Sequence, residues 1–163
     1  MTDAAHLAAC RAAPDLFKAV ETALGQIVGH KLFTLMAIDW EGAAAARIYT
    51  SHPEAYPVGG RKALGALTAW GEIVLRGRQP WIGNSTEDIR DAFPDHELIA
   101  SLGCAACLNL PVIDAEGPGG ARVIGTVNLL HEAGHFRPEH ITRATPFAAL
   151  LLQPYRDWAA GAR

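Results

Sequence analysis

Between Pro14 and Val28 the apolar residues Leu16, Phe17, Val20, Leu24, Ile27 and Val28 recur at steps of three and four, which places them on one face of a helix that Gly29 ends. The alanine-rich stretch before it, Ala4 to Ala13, is expected to be helical too, with Pro14 in the first turn of the next helix. Lys31 to Asp39 carries residues suited to a strand, and Trp40-Glu41-Gly42 reads as a tight turn into a second strand, Ala44 to Ser51. After His52-Pro53 the pattern breaks into a Pro/Gly-rich passage, and helical spacing resumes from Leu67 to Arg76, with Gly77 as the stop.

Gln79 to Gly83 predicts a short strand, and Pro80 places it at a sheet edge or strand start, because proline has no N–H to give to a ladder. Ser85 or Thr86 then caps a helix with Glu87 and Asp88 in its first turn, where negative charge suits the helix dipole. A further helical turn runs from Asp95 to Leu102 and stops at Gly103. Two more strand patterns, Cys104 to Ile113 and Arg122 to His131, flank a Gly/Pro-rich loop and predict a second hairpin. Pro138 opens a last helix with Ile141, Phe147, Leu150 and Leu151 on one side, which Pro146 and Pro154 are expected to bend or end.

The order helix, hairpin, mixed excursion (residues 52–103), hairpin, helix predicts an α+β fold. A central, mostly antiparallel sheet of five or six strands would carry the terminal helices on one face and the excursion on the other. No repeat, linker or second domain is visible, so residues 1–163 are read as one domain with a core of about 15–152.

Composition narrows the function. Half of the 163 residues are hydrophobic and 19% are charged, the balance of a globular chain. Seventeen acidic and fourteen basic residues give a net charge of -3 with no Lys/Arg cluster, which argues against nucleic acid as a partner. No apolar run approaches the ~20 residues that span a bilayer, and the N-terminus lacks the pattern of a signal peptide, so no membrane partner and a cytoplasmic location are expected. The three cysteines, Cys10, Cys104 and Cys107, are too few and too odd in number for a disulfide framework.

Gly103-Cys104-Ala105-Ala106-Cys107-Leu108-Asn109-Leu110-Pro111-Val112, Arg122-Val123-Ile124-Gly125-Thr126-Val127-Asn128-Leu129 and Arg78-Gln79-Pro80-Trp81-Ile82-Gly83 resemble, in that order, the fifth strand, the strand after it and the mid-domain strand of the GAF domain family, whose architecture is PAS-like. The resemblance covers roughly residues 15–152. It implies a pocket between sheet and excursion, commonly for cyclic nucleotides, chromophores or small metabolites, and homodimerisation through the terminal helices. It does not name the ligand.

Alternation along the strands puts Ala105, Cys107 and Asn109 on one face and Ala106, Leu108, Leu110 and Val112 on the other. In the partner strand Ile124, Thr126, Asn128 and Leu130 alternate with Val123, Gly125, Val127 and Leu129. A hairpin centred near Gly117-Pro118 would set Asn109 opposite Thr126 and Cys107 opposite Asn128, four small polar groups on one face. Such groups need partners, which either a ligand, water or the excursion itself supplies. Trp70, Trp81, Phe93 and His96 of the excursion, and Tyr49 of the second strand, are the further candidates for ligand contact.

Cys104 and Cys107 enter a strand, where i and i+3 point to opposite faces, so they are read as two buried, inert cysteines and not a redox pair. His131, His135 and His140 match no zinc spacing and are read as surface or capping residues, with no metal expected. The expected function is a non-enzymatic small-molecule-binding sensory or regulatory module that acts through a partner or as a dimer. One alternative is an enzyme resembling the GAF-type free methionine sulfoxide reductase, whose "F-P-x-H" element Phe93-Pro94-Asp95-His96 matches. Against it, Leu64 to Trp70 offers no cysteine where that enzyme carries one. The other alternative is a structural dimerisation module whose own side chains fill the pocket.

Overall fold

A computed structural model describes residues 1–64 and 67–161. Its six-stranded sheet has the spatial order β3-β2-β1-β6-β5-β4, every neighbouring pair antiparallel. The strands are β1 (Leu32–Asp39), β2 (Ala44–Thr50), β3 (Arg61–Ala63), β4 (Trp81–Gly83), β5 (Ala106–Asp114) and β6 (Arg122–His131). The two predicted hairpins are β1–β2 and β5–β6, and they meet where β1 pairs with β6, so the centre of the sheet joins the two ends of the chain.

Four helices cover one face: α1 (Asp3–Ala12), α2 (Leu16–Ile27), α6 (Pro138–Ala149) and α7 (Leu152–Gly161). The stripe read from the sequence is the one buried: Val20, Leu24, Phe147 and Leu151 are inaccessible to solvent and pack with Phe33, Leu35, Leu108, Val127 and Leu129 of the central strands. Asp15 caps α2 by accepting from the Lys18 N–H at 3.1 Å, so Pro14 stands ahead of the cap and not in the first turn. Gly29 ends the helix at φ 90°, a value that favours glycine, and its N–H returns to the Leu24 carbonyl.

Pro146 lies inside α6 without ending it; the break falls at Leu150–Leu151, whose N–H groups turn back to the i−3 carbonyls. The ring of Pro154, in the first turn of α7, is incompatible with a helical carbonyl four residues earlier, at Leu150. The resulting turn aims Tyr155 at the sheet, where it is fully buried and its hydroxyl donates to the Thr126 carbonyl at 2.8 Å. Gly125 makes room for it: a Cβ there would lie 2.4 Å from the Tyr155 ring.

The excursion lies over the opposite face. It contains β3, a short α3 (Ala69–Gly71) that continues into a π-helical turn (Glu72–Arg76), β4, α4 (Thr86–Ala92) and α5 (His96–Ser101). Ser85 is the cap of α4, accepting from the Asp88 N–H at 3.2 Å. β4 follows Pro80 and pairs with β5 alone, the edge position that the proline requires. The three-residue β3, exposed throughout, had no readable pattern in the sequence and forms the other edge.

Two bulges depart from simple alternation. In β1–β2, Leu35 pairs with Tyr49 but Met36 pairs with Arg47, so Ile48 is an extra residue on β2. In β5–β6, Val112 pairs with Gly125 but Ile113 with Val123, so Ile124 is extra on β6 and turns to the helix-covered face. The second bulge also corrects the expected register: Asn109 stands opposite Asn128, Cys107 opposite Leu130 and Pro111 opposite Thr126. The hairpin turns one half-residue later than Gly117-Pro118 implies, and the bulge adds a further step. The two slips together shift the pairing by two, which keeps Cys107, Asn109, Thr126 and Asn128 on their predicted face, while Val123 and Ile124, beside the bulge, exchange faces.

Candidate functional site

Between sheet and excursion lies a cavity of about 280 Å³. Its floor is one face of four adjacent strands: Thr34, Met36 and Ile38 of β1, Ala45 and Arg47 of β2, Thr126, Asn128 and Leu130 of β6, and Cys107 and Asn109 of β5. The excursion supplies the roof, chiefly Tyr56, Leu67, Trp70, Leu75, Phe93 and Ile99. Lys62, Ala63, Thr68 and Pro94 are exposed and rim its mouth.

A chain of hydrogen bonds crosses this floor. The Trp70 indole Nε1–H donates to Asn109 Oδ1 at 3.0 Å, Asn109 Nδ2 donates to Asn128 Oδ1 at 2.5 Å, and Asn128 Nδ2 donates to Thr34 Oγ1 at 3.2 Å. The Cys107 thiol adds a second donor to Asn109 Oδ1 at 3.1 Å. Because Asn109 and Asn128 are cross-strand partners, their amides meet head to tail and each accepting oxygen has a donor. The asparagine row is therefore satisfied from within, with Trp70 as the contribution of the excursion. Burial pushes the Cys107 thiol up, well above the ordinary cysteine range, so it is a neutral donor and not a thiolate.

Arg47 is the side chain on this surface that lacks a counter-charge. It is only 8% exposed, its guanidinium carbon sits 3.6 Å above the centre of the Tyr56 ring, and Nη1 donates to the Pro57 carbonyl at 2.8 Å. Its Nε is buried without a hydrogen-bond partner, and no carboxylate of the described residues lies within ion-pair distance. The one carboxylate lining the cavity, Asp95, is bonded to the Tyr56 hydroxyl and lies 3.6 Å from Lys62 Nζ at the mouth. Burial, reinforced by that carboxylate, raises the Tyr56 phenol above its usual range and keeps it protonated. Thr126 also lines the cavity, and its carbonyl accepts from the Tyr155 hydroxyl.

Of the residues singled out from the sequence, Cys107, Asn109, Thr126, Asn128, Trp70 and Phe93 line the cavity. Trp81 stands behind them, packing edge-on against Phe93 at 6.2 Å, and does not reach the cavity. His96 begins α5 at the side of the cavity and does not line it. Tyr49 lies on the opposite face, under α2, between Phe17 and Phe33 and bonded to Glu21. The bulge at Ile48 is the reason: it reverses the alternation, so Arg47, two residues away, takes the cavity side.

The cysteines are all buried and free. Cys104 lies in the small apolar cluster beside Cys107, and Cys10 is on α1 beyond the sheet. In the stretch Leu64 to Trp70, Gly65 and Ala66 lie outside the described residues. His131, His135 and His140 gather at the end of β6 and the start of α6, the first two rings stacked at 3.7 Å. His135 Nε2 bonds the Val28 carbonyl, and His140 Nδ1 accepts from the Arg137 N–H as part of a capping box. Among the described residues no group of three or more His, Cys, Asp or Glu is arranged to hold a metal ion, and no helix is long and apolar enough to cross a membrane.

An antiparallel sheet with helices on one face and a loop-and-helix roof enclosing a cavity on the other defines a PAS-like α+β fold. More particularly, the chain has the GAF domain fold. It is similar to the GAF domain of a phosphoenolpyruvate-protein phosphotransferase from Coxiella burnetii, with a TM-score of 0.74 and 18% identity over 98% of this chain and 94% of that one. The GAF domain of a two-component sensor histidine kinase from Bacillus halodurans gives 0.65 and 11% identity over 93% and 100%. The chromophore-binding domain of a bacteriophytochrome from R. palustris gives 0.66 and 12% over 98% and 60%. No family model and no curated protein matches the sequence.

Proposed function

We propose that this chain is a non-enzymatic, small-molecule-binding sensory or regulatory GAF domain that passes on ligand occupancy through a partner or a second copy. The observation that carries the reading is the cavity of about 280 Å³, open at the Lys62–Pro94 rim and floored by four strands. Its mostly apolar wall with a few placed polar groups is the usual make-up of a ligand site. The sensory and regulatory settings of the similar GAF domains, a histidine kinase and a phytochrome among them, support the same reading.

Binding is favoured over turnover by the chemistry at hand. Cys107 is the one cysteine among the described residues that lines the cavity, and its thiol is neutral, which does not suit a thiol-dependent reductase. A partner or second copy would meet outward-facing residues of the terminal helices, because the inward stripe of Val20, Leu24, Phe147 and Leu151 is occupied by the sheet.

Thermal-shift and calorimetric titration of the full chain with a broad panel of small metabolites and cyclic nucleotides tests the proposal. Saturable stabilisation is expected, weakened by Asn128→Ala or Cys107→Ser. No saturable ligand across the panel would overturn it, and thiol-dependent turnover of free methionine sulfoxide would replace it with the enzymatic reading.

A further inference from the structure

We infer that the ligand taken by this cavity is a small organic monoanion, a carboxylate on a single-ring or short apolar body, with its charge on Arg47. The inference rests on the proposed ligand-binding reading and specifies the chemistry of that same site.

The charge balance of the lining is the first argument. Three ionisable side chains with a fixed sign at neutral pH line the cavity: Arg47, Lys62 and Asp95. Lys62 and Asp95 lie 3.6 Å apart at the mouth and offset one another, while Arg47 stands deeper on the floor, 8% exposed, without a carboxylate. A buried cation is costly unless something compensates it. Stacking on Tyr56 and the single bond to the Pro57 carbonyl offset part of this, and Nε still has no partner. One negative charge brought by a ligand completes the balance. A dianion such as phosphate would leave one charge uncompensated in an apolar wall.

Position is the second argument. Arg47, Met36 and Thr126 form one cross-strand row, since Arg47 pairs with Met36 and Met36 with Thr126. With strands about 4.8 Å apart, roughly 10 Å separates the two ends of that row. Arg47 lies at one end and Thr126 at the other, with Met36 between them, and all three line the cavity. The asparagine row beside it is already satisfied by Trp70 and Thr34, so it is a wall against which a ligand lies and not the group that recognises its charge.

Size is the third. At about 280 Å³ the cavity lies at the small end of the range of roughly 300–1,000 Å³ for ligand pockets, which suits a compact body.

The test uses the full chain and pairs of probes of equal shape and different charge. Benzoate and phenylacetate are titrated by calorimetry beside benzamide and phenylacetamide, with inorganic phosphate as a further anion. Proton-detected NMR follows the Arg47 Nε–H in arginine-labelled protein. A charge-assisted hydrogen bond in a desolvated site predicts that the acids bind about 10- to 100-fold more tightly than the amides. The Nε–H resonance is expected to move with benzoate and not with benzamide, and Arg47→Gln is expected to bring the acid-to-amide ratio close to one. The wild-type ratio and the resonance shift carry the test if Arg47→Gln fails to fold.

Equal or tighter binding of the amides, or preference for inorganic phosphate, would overturn the monoanion inference and leave the ligand-binding reading standing. So would failure of both acids beside a neutral compound that binds from the metabolite panel. If no compound of either kind binds, both fall.

Discussion

Gly125→Ala is expected to destabilise the chain far more than adding one methyl group to a strand ordinarily does. The added Cβ would lie 2.4 to 2.6 Å from three carbons of the Tyr155 ring, where carbon–carbon contacts settle at about 3.5–4.0 Å. The ring must therefore retreat by about 1 Å. It has no space to do so: Tyr155 is fully buried, and its hydroxyl is tied to the Thr126 carbonyl one residue from the substitution. Overpacking of this kind costs about 1–3 kcal/mol, and loss of the buried hydroxyl bond adds about 1 kcal/mol.

The total, about 2–4 kcal/mol, corresponds to a drop of roughly 5–15 °C in Tm for a chain of this size. Urea denaturation followed by circular dichroism measures it. Tyr155→Ala alone should cost about 3–5 kcal/mol by leaving a cavity. The double variant should cost less than the two singles together by at least about 1 kcal/mol, because the new methyl group then occupies vacated space. A Gly125→Ala protein within about 0.5 kcal/mol of the parent, or a strictly additive cycle, would refute the close packing of α7 on β6.

Other outcomes follow from the same structure. His131 and His140 are held below the usual imidazole range by burial and then by the neighbouring His135, so the unfolded chain binds protons more readily. Their contribution to stability is fully present above about pH 6.5 and is lost as the pH falls toward the folded values, at up to ~1.4 kcal/mol per pH unit for each group. Tm should fall between pH 7.5 and 5.5 with a slope that His140→Gln reduces, and a flat profile would contradict this. Cys10, Cys104 and Cys107 are buried with thiols raised by burial, so Ellman's reagent should label them only after unfolding; rapid native labelling would place one of them at the surface. Trp70→Phe keeps the aromatic wall but removes the donor to Asn109, and a loss of about 1 kcal/mol in urea denaturation is expected. No loss would mean that the indole N–H is dispensable to the network.

The polar row on β5 and β6 was legible because each strand is long and regular there: Cys107 and Asn109 on one strand, Thr126 and Asn128 on the other, alternate with large aliphatic residues at period two. The expected pairing slipped, but by two steps, which leaves these four residues on one face and exchanges only Val123 and Ile124 beside the bulge. At Tyr49 the same reasoning failed because a single extra residue, Ile48, reverses which way the side chains point. Nothing local marks that bulge: Arg47-Ile48-Tyr49-Thr50 contains no glycine, and its β-branched residues suit an unbroken strand. Arg47 is consequently not among the residues that the pattern singles out, although it lines the cavity. Within the excursion, Trp70, Trp81, Phe93 and His96 belong to separate short elements whose mutual placement depends on tertiary packing, so alternation offers no guide to which of them face the cavity.

Thr126 occupies a peculiar station in this arrangement. It lines the cavity while its own carbonyl holds the hydroxyl of Tyr155, and with it the last helix, on the far side of the sheet. The barrier between the chamber and the terminal helices is at that point a single peptide unit thick. A displacement of that unit would bear on the cavity wall and on the anchorage of α7 at once, with no relay of intervening side chains. The sheet acts here as a diaphragm more than as a wall, and the end of the chain is fastened to its centre.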